Sequence, residues 1–101
     1  MSSGRGNRNV RIKGYKDRLA KLDSRVADLA AAAFAAFQRD PEAPVLHNHA
    51  LDDCHRGRHQ TGSRAVWVSY RYRAIYVVDG DTNVWYWIGT HEDYNIFTGR
   101  K

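Results

Sequence analysis

Hydrophobic side chains recur at helical spacing through one long segment, residues 24–39. The members of this stripe lie three or four positions apart and are Val26, Leu29, Ala30, Ala33, Phe34 and Phe37. This spacing places them on one face of an α-helix, and the alanines between them favour that helix because alanine has the highest helix propensity. Asp23 or Ser24 supplies an N-cap oxygen, and the two prolines of residues 40–44 end the helix. We therefore predict a helix over residues 24–39.

A shorter helical pattern comes before it. Tyr15, Leu19 and Leu22 lie at positions i, i+4 and i+7, which predicts a basic amphipathic helix over residues 14–22. Two helices joined by so short a connection form an antiparallel hairpin. Residues 10–13 alternate apolar and basic side chains and predict a short edge strand.

The pattern changes from helical to strand-like in the second half of the chain. Weak alternation predicts a strand over residues 45–50, and the polar residues 52–63 predict a long basic loop. Valine, isoleucine, tyrosine and tryptophan then dominate three segments, which predict strands: residues 65–69, 72–79 and 83–88. Asp79-Gly80-Asp81 predicts a tight turn, and Thr90 caps a short helix over residues 91–97.

This order of elements predicts the α+β class, with a helical hairpin packed on a three- to four-stranded antiparallel sheet and a short C-terminal helix. We expect one domain over residues 10–97, preceded by a disordered basic segment, residues 1–9, and followed by a tail, residues 98–101. Alternation along residues 72–79 divides the side chains between the two faces of the sheet. Tyr72, Ala74, Tyr76 and Val78 share one face, and Arg73, Ile75 and Val77 share the other.

The charge of the chain narrows the class of partner. Its 101 residues carry a net charge of +5, with a pI near 9.7, which favours a polyanion such as nucleic acid or an acidic protein. The basic residues that we expect to bind phosphate are Lys13, Arg56, Arg58, Arg64 and Arg71. The single cysteine, Cys54, excludes an internal disulfide and fits a reducing cytoplasm. No window approaches 18 apolar residues, and the amino terminus does not resemble a secretory signal.

Arg73 is the first candidate for chemistry, because it interrupts an apolar strand. An arginine there is costly to bury without a partner. It either lies on an exposed face or forms a salt bridge with Glu92 or Asp93, or else it holds a phosphate through two parallel hydrogen bonds. Residue type alone favours the exposed face or the salt bridge over the phosphate contact.

His91 and Tyr94 are the next candidates, in the predicted C-terminal helix. Histidine exchanges protons near neutral pH and can act as a general acid or base, or it can simply lie at the surface. Tyr94 shares a helix face with His91 and either packs in the core or stacks on a base.

Five residues form a dense histidine and cysteine cluster: His47, His49, Cys54, His55 and His59. Their spacing matches no familiar zinc site, and one thiolate is available. We expect no metal, and we expect some of these histidines to line the same groove as Arg73.

The segments YRAIY (Tyr72–Tyr76) and IGTHEDY (Ile88–Tyr94), together with the helical hairpin and the Gly-Asp turn, resemble the RelE/ParE superfamily of bacterial toxin–antitoxin modules. The resemblance covers residues 10–97. It implies a sheet with helices on one face and an active groove on the other. It also implies a bacterial, cytoplasmic toxin that enters the ribosomal A site and cleaves mRNA, and that an acidic antitoxin neutralises.

The implied cleavage needs no cofactor. A base removes the proton of the RNA 2′-hydroxyl, which attacks the adjacent phosphate. An acid protonates the 5′-oxygen as its bond to phosphorus breaks, and a cation stabilises the phosphorane. By match to the family motifs, Arg73 is the cation, His91 is the acid or base, and Tyr94 orients the nucleotide. His55 or His59 supplies the second proton carrier, as upstream histidines do in the YafQ and HigB-like branches.

One departure from the family pattern leaves other functions open. RelE itself uses lysines near the scissile phosphate, and this chain has no lysine between Lys21 and Lys101. The ParE branch shares the fold, lacks the ribonuclease residues and inhibits DNA gyrase, but the combination of Arg73 and His91 argues against it. A non-catalytic nucleic-acid-binding domain is the third possibility.

Overall fold

The computed structural model describes residues 8–52 and 57–99 and confirms the α+β class. None of the helices in these ranges is long and apolar enough to cross a membrane. The strands are β1 (Arg8–Arg11), β2 (His49–Ala50), β3 (Ser63–Ser69), β4 (Tyr72–Asp79) and β5 (Thr82–Thr90). The helices are α1 (Lys13–Ala20), α2 (Ser24–Arg39) and α3 (His91–Phe97), with a 3₁₀ turn at Pro44–Leu46.

The strands form one sheet in the order β1-β5-β4-β3-β2. β2, β3, β4 and β5 pair antiparallel, as expected, whereas β1 pairs parallel with β5. The sheet has five strands instead of three or four, because both short flanking segments join it. Alternation of side chains indicates a strand but carries no information about its direction.

The prediction of a strand over residues 45–50 is wrong in its first half. Pro44 begins the 3₁₀ turn, where its fixed φ is favourable and its missing N–H is not needed. His47 follows in the left-handed conformation, with φ of 48°, and turns the chain back towards the sheet. Pairing with β3 starts at His49 and is limited to two residues.

The main core lies between α2 and one face of the sheet. Phe37 is 1% exposed, and its ring centroid lies 5.2 Å from that of Tyr76 and 4.9 Å from that of Trp85. Both contacts are edge-to-face, which is a favoured geometry for aromatic pairs. Ala74 and Tyr76 belong to this cluster and Ile75 does not, so the division of β4 between two faces is confirmed.

A smaller core lies on the opposite face, beneath α3. It contains Leu51, Ala65, Ile75, Trp87 and Tyr94. Trp85 and Trp87 lie on opposite faces although they are two residues apart. The cause is a β-bulge at Tyr86, since Tyr76 pairs with Trp85 while Ile75 pairs with Trp87.

The free edge of β5 is covered by β1 and then by α1. The Asn9 Oδ1 atom accepts hydrogen bonds from Asn83 Nδ2 (3.1 Å) and Trp85 Nε1 (3.0 Å), which fixes β1 in its register. Beyond the end of β1, the Nε atom of Arg18 donates to the Ile88 carbonyl at 3.0 Å. Its guanidinium carbon lies 4.6 Å from the centre of the Trp87 ring.

We predict that Phe37→Ala lowers the free energy of unfolding by roughly 3–5 kcal/mol, because it leaves a cavity against two aromatic rings. Leu29→Ala is the matched control on the same helix. Leu29 is 42% exposed, so its loss should cost less than about 1 kcal/mol. Urea unfolding monitored by circular dichroism measures both values, and equal losses would contradict this description of the core.

Candidate functional site

A cleft lies at the end of the sheet where the β3–β4 turn meets the start of α3. Its volume is about 570 Å³, and its lining residues are Trp67, Tyr70, Arg71, Tyr72, Arg73, Thr90, His91 and Glu92. The His91 N–H donates to the Arg71 carbonyl at 2.7 Å and joins the two walls. Arg73 and His91, which the sequence analysis singled out independently, therefore line one cleft.

Arg73 is held by backbone carbonyls and an indole ring. It is 6% exposed, and its Nη1 atom donates to the carbonyls of Ser69 (3.0 Å), Tyr70 (3.0 Å) and Tyr72 (3.2 Å). Its guanidinium carbon lies 4.2 Å from the centre of the Trp67 ring. Burial lowers the pKa of Arg73, an effect that the nearby Tyr94 and Tyr70 hydroxyls partly oppose.

This arrangement differs from both of the simpler interpretations of Arg73. The side chain is buried, so it does not lie on an exposed face. Within residues 8–52 and 57–99 it forms no ion pair, and the alternative of a salt bridge with Glu92 or Asp93 is wrong. The positive charge is solvated by neutral groups and is not neutralised by a carboxylate.

His91 is exposed at the first position of α3. Its place is set by Thr90, whose hydroxyl caps the helix by accepting from the Asp93 N–H at 3.1 Å. Gly89 lies opposite Arg73 in the β4–β5 ladder. A side chain at Gly89 would lie 2.7 Å from the Trp87 ring, so glycine is required for the strand to pass this close.

Tyr94 belongs to the small core, with 3% exposure, and its ring packs near Trp87. Tyr94 is directed towards the sheet, whereas His91, three residues earlier in the same helix, is exposed. Its hydroxyl oxygen lies 3.3 Å from Nε2 of His49. The hydroxyl, not the ring face, is therefore the part of Tyr94 directed towards other candidate residues.

His47, His49 and Trp67 join this site in the structure. The sequence predicts some histidines of the His47–His59 cluster near Arg73, but it does not identify Trp67. Nδ1 of His49 lies 2.7 Å from the His47 carbonyl, and a carbonyl can only accept, so Nδ1 carries the proton. In the neutral ring, Nε2 is then the acceptor for the Tyr94 hydroxyl. His47 stacks on Trp67 at 3.8 Å, and Trp67 pairs with Arg73 across β3 and β4. Knowing this strand register would have identified Trp67.

His59 lies elsewhere. Its Nε2 atom donates to the Asp52 carbonyl at 2.8 Å. A side chain at Gly57 would meet both the His59 ring (2.7 Å) and the Thr98 carbonyl (2.9 Å), so His59 lies near the C-terminal end of α3. His91 is at the other end of this helix, roughly 10 Å away along its axis.

Two further candidates, His55 and Arg56, lie outside the described residues, as does Cys54. The possible zinc cluster of histidines and Cys54 therefore includes positions of which nothing is described. Within residues 8–52 and 57–99, no three histidine, cysteine or acidic side chains are grouped so that they could hold a metal ion.

The basic residues expected to bind phosphate are spread over the surface. Arg71 lines the cleft. Arg64 lies on the α2 side of the sheet, where its Nε atom donates to Asn48 Oδ1 at 3.1 Å. Lys13 forms an exposed ion pair with Asp17 on α1. Arg58 lies near the C-terminal end of α3, where its backbone N–H donates to the Phe97 carbonyl at 2.7 Å.

We predict that Arg73→Ala lowers the free energy of unfolding by about 2–4 kcal/mol, because three carbonyls lose a charged donor and Trp67 loses a cation. Arg71→Ala is the matched control in the same turn, and its exposed side chain should leave stability nearly unchanged. Chemical unfolding of the purified variants gives both values. An Arg73→Ala protein as stable as the wild type would show that the turn does not depend on this residue.

No family model matches the sequence, and no curated protein matches it either. Solved structures do match. YafQ from Escherichia coli superposes with a TM-score of 0.66 at 13% identity, covering 85% of this chain and 94% of YafQ. A YoeB/ParE toxin from Agrobacterium tumefaciens gives 0.62 at 15% identity, over 83% of this chain and 98% of that one.

A third match is a chain of the RelBE2 toxin–antitoxin complex from Mycobacterium tuberculosis. It gives a TM-score of 0.61 at 22% identity, covering 83% of this chain and 96% of that one. At such identities the likeness establishes the fold. The chain therefore has the fold of the RelE/ParE toxins, as its sequence resemblance predicts.

Proposed function

We propose that this protein is the toxin of a toxin–antitoxin pair and that it cleaves mRNA on the ribosome. The observation that carries the proposal is the shared cleft of Arg73 and His91, which supplies a fixed cation and an exposed proton carrier side by side. The likeness in fold to YafQ and to the RelBE2 toxin–antitoxin complex supports the class of protein. The mRNA target would place its action in the bacterial cytoplasm.

Arg73 and Arg71 hold the reacting phosphate in the proposed reaction. The carbonyl hydrogen bonds of Arg73 use Nη1, and we assign the phosphate contact to Nη2. Arg71 lies at the exposed rim of the same cleft and makes a second contact. As the 2′-hydroxyl attacks, negative charge grows on the phosphorane oxygens, and the fixed guanidinium stabilises it without reorganising.

His91 and one upstream histidine exchange the protons in this scheme. His91 acts at the exposed rim, and we propose His49 as the second carrier. One of them removes the proton of the attacking 2′-hydroxyl, and the other protonates the 5′-oxygen as its bond to phosphorus breaks. In its neutral form, His49 has an unprotonated Nε2 that accepts from the Tyr94 hydroxyl, so in this scheme His49 exchanges its proton with the substrate through that hydroxyl. His59 is bonded to the Asp52 carbonyl at the far end of α3, and His55 stays a candidate outside the described residues.

We also propose an acidic antitoxin as the protein partner. The net charge of +5 favours an acidic surface on that partner. The antitoxin would cover Arg71 and the adjoining cleft and would thereby exclude RNA. The related RelBE2 structure is itself a toxin–antitoxin complex.

The first test is cleavage of mRNA during induction in bacteria. We expect new mRNA ends at translating ribosomes, and His91→Ala should lower the rate of cleavage on purified ribosomes by about 10²–10⁴-fold because it removes a proton carrier. Arg39→Ala, an exposed substitution at the end of α2, is the control and should cleave normally. Intact transcripts, together with growth arrest that His91→Ala does not relieve, would sink the endonuclease proposal. Inhibition of supercoiling by purified gyrase would then favour the gyrase-inhibitor alternative.

The second test compares His49→Gln with His59→Gln. Glutamine keeps a polar side chain of similar reach but cannot exchange protons at neutral pH. We expect His49→Gln to slow ribosomal cleavage by about 10²-fold or more and His59→Gln to change it little. The reverse ranking would transfer the role of second proton carrier to His59. Thermal unfolding of both variants separates these effects from loss of structure.

A further inference from the structure

Tyr70 is the most exposed aromatic side chain within residues 8–52 and 57–99, with 79% of its surface open to solvent. It lies in the two-residue turn, Tyr70-Arg71, between β3 and β4. Tight hairpin turns usually use asparagine or glycine because they require positive φ. Neither turn residue here has positive φ, and the β-bulge at Val68 next to the turn accommodates this geometry.

The turn is held from inside by the same side chain that forms the centre of the cleft. Nη1 of Arg73 donates to the carbonyl of Tyr70, and its guanidinium lies against Trp67. The Tyr70 ring stands nearly perpendicular to Trp67, at 75° and 6.3 Å between centroids. Trp67 is fixed in turn by the stacked His47 ring. Trp67 is therefore a fixed support beside the exposed Tyr70 ring, which leaves most of that ring open for contact.

The surroundings of Tyr70 favour a nucleotide over a protein side chain. The cleft beside it carries the guanidinium groups of Arg71 and Arg73 and the imidazole of His91, opposed by the carboxylate of Glu92. An aromatic ring next to cationic groups is the combination that binds single-stranded nucleic acid, since bases stack while phosphates pair with the cations.

Tyr70 and Trp67 also border a mostly apolar groove of about 310 Å³, which includes Leu29 and Val45. That groove holds none of these cations and makes a protein contact the competing explanation for the exposed ring.

We propose that Tyr70 is a base-stacking residue that selects an unpaired nucleotide. The nucleobase lies on the open face of the Tyr70 ring and against the edge of Trp67, while the neighbouring phosphate lies on Arg71 and Arg73. This inference rests on the proposed action on RNA and specifies how the substrate is held. Base-paired RNA cannot present a free face to this ring, so the cleft accepts single strands.

The test is a binding cycle with short single-stranded 2′-O-methyl RNA, which lacks the attacking hydroxyl and is bound without being cut. Fluorescence anisotropy of a dye-labelled oligonucleotide gives affinities at low salt, where phosphate contacts are strongest. Wild type and Tyr70→Ala are each titrated with the intact oligonucleotide and with a set in which one position at a time is abasic.

We expect Tyr70→Ala to weaken binding of the intact oligonucleotide roughly 5- to 150-fold, the range for loss of one stacked base. Tyr70→Phe should bind like the wild type. One abasic position should weaken wild-type binding to a similar extent and should leave Tyr70→Ala with no further loss, because the ring and the base form a single interaction. Val10→Ala, an exposed apolar substitution on the opposite edge of the sheet, is the control.

Two results would overturn the inference. One is an unchanged affinity of Tyr70→Ala for the intact oligonucleotide, including the case in which only antitoxin binding is lost. The other is an equal loss with intact and abasic oligonucleotides at every position. Failure of the endonuclease proposal has a different signature: wild-type protein would leave ribosomal mRNA intact while base-dependent binding at Tyr70 persisted.

Discussion

The contact of the Arg73 guanidinium with three backbone carbonyls and the Trp67 indole is the interaction on which the site depends. A buried cation normally requires a carboxylate, and such a partner would cancel its charge. Neutral carbonyl dipoles and an aromatic face instead offset part of the desolvation cost and leave the positive charge in place. The same contacts shape the β3–β4 turn, so the stability of the turn and the charge of the cleft have a single source.

The two faces of the sheet carry separate aromatic clusters, and a β-bulge makes this division possible. The bulge at Tyr86 sends Trp85 into the core beneath α2 and Trp87 to the opposite face. There, Trp87 lies under Arg18 as Trp67 lies under Arg73, which gives two cation–indole pairs on this side of the sheet. Without the bulge, strict alternation would place both β5 indoles in one core, and the small core beneath α3 would lose Trp87.

The sequence was informative where side chains repeat with a fixed period. The long helix over residues 24–39 and the two faces of β4 follow from spacing alone, and both are confirmed. The common location of Arg73 and His91 in one cleft follows from the adjacency of β4 and β5 in an antiparallel meander. Each of these predictions depends on the spacing of side chains along a helix or strand, or on the order of neighbouring strands, and both can be read from the sequence.

Periodicity failed where the backbone departs from it or where contacts are remote in sequence. Pro44 and the left-handed His47 break the expected strand, and no repeat signals either event. His49 is 45 residues from Tyr94, and the contact between them depends on a two-residue strand that is too short for any pattern to reveal. The register of β1 is fixed by Asn9, whose shared hydrogen bonds to Asn83 and Trp85 are invisible in sequence.

The absence of lysine between Lys21 and Lys101 has a physical consequence for the proposed reaction. Burial lowers the pKa of Arg73, yet an arginine starts from so high a value that it stays protonated at any physiological pH. A lysine with the same burial would approach the range in which it loses its charge. The proposed reaction places the charge on arginine and proton transfer on histidine, and it thereby separates two tasks that a lysine would combine. The phosphate would then meet a positive charge that does not change over the physiological pH range.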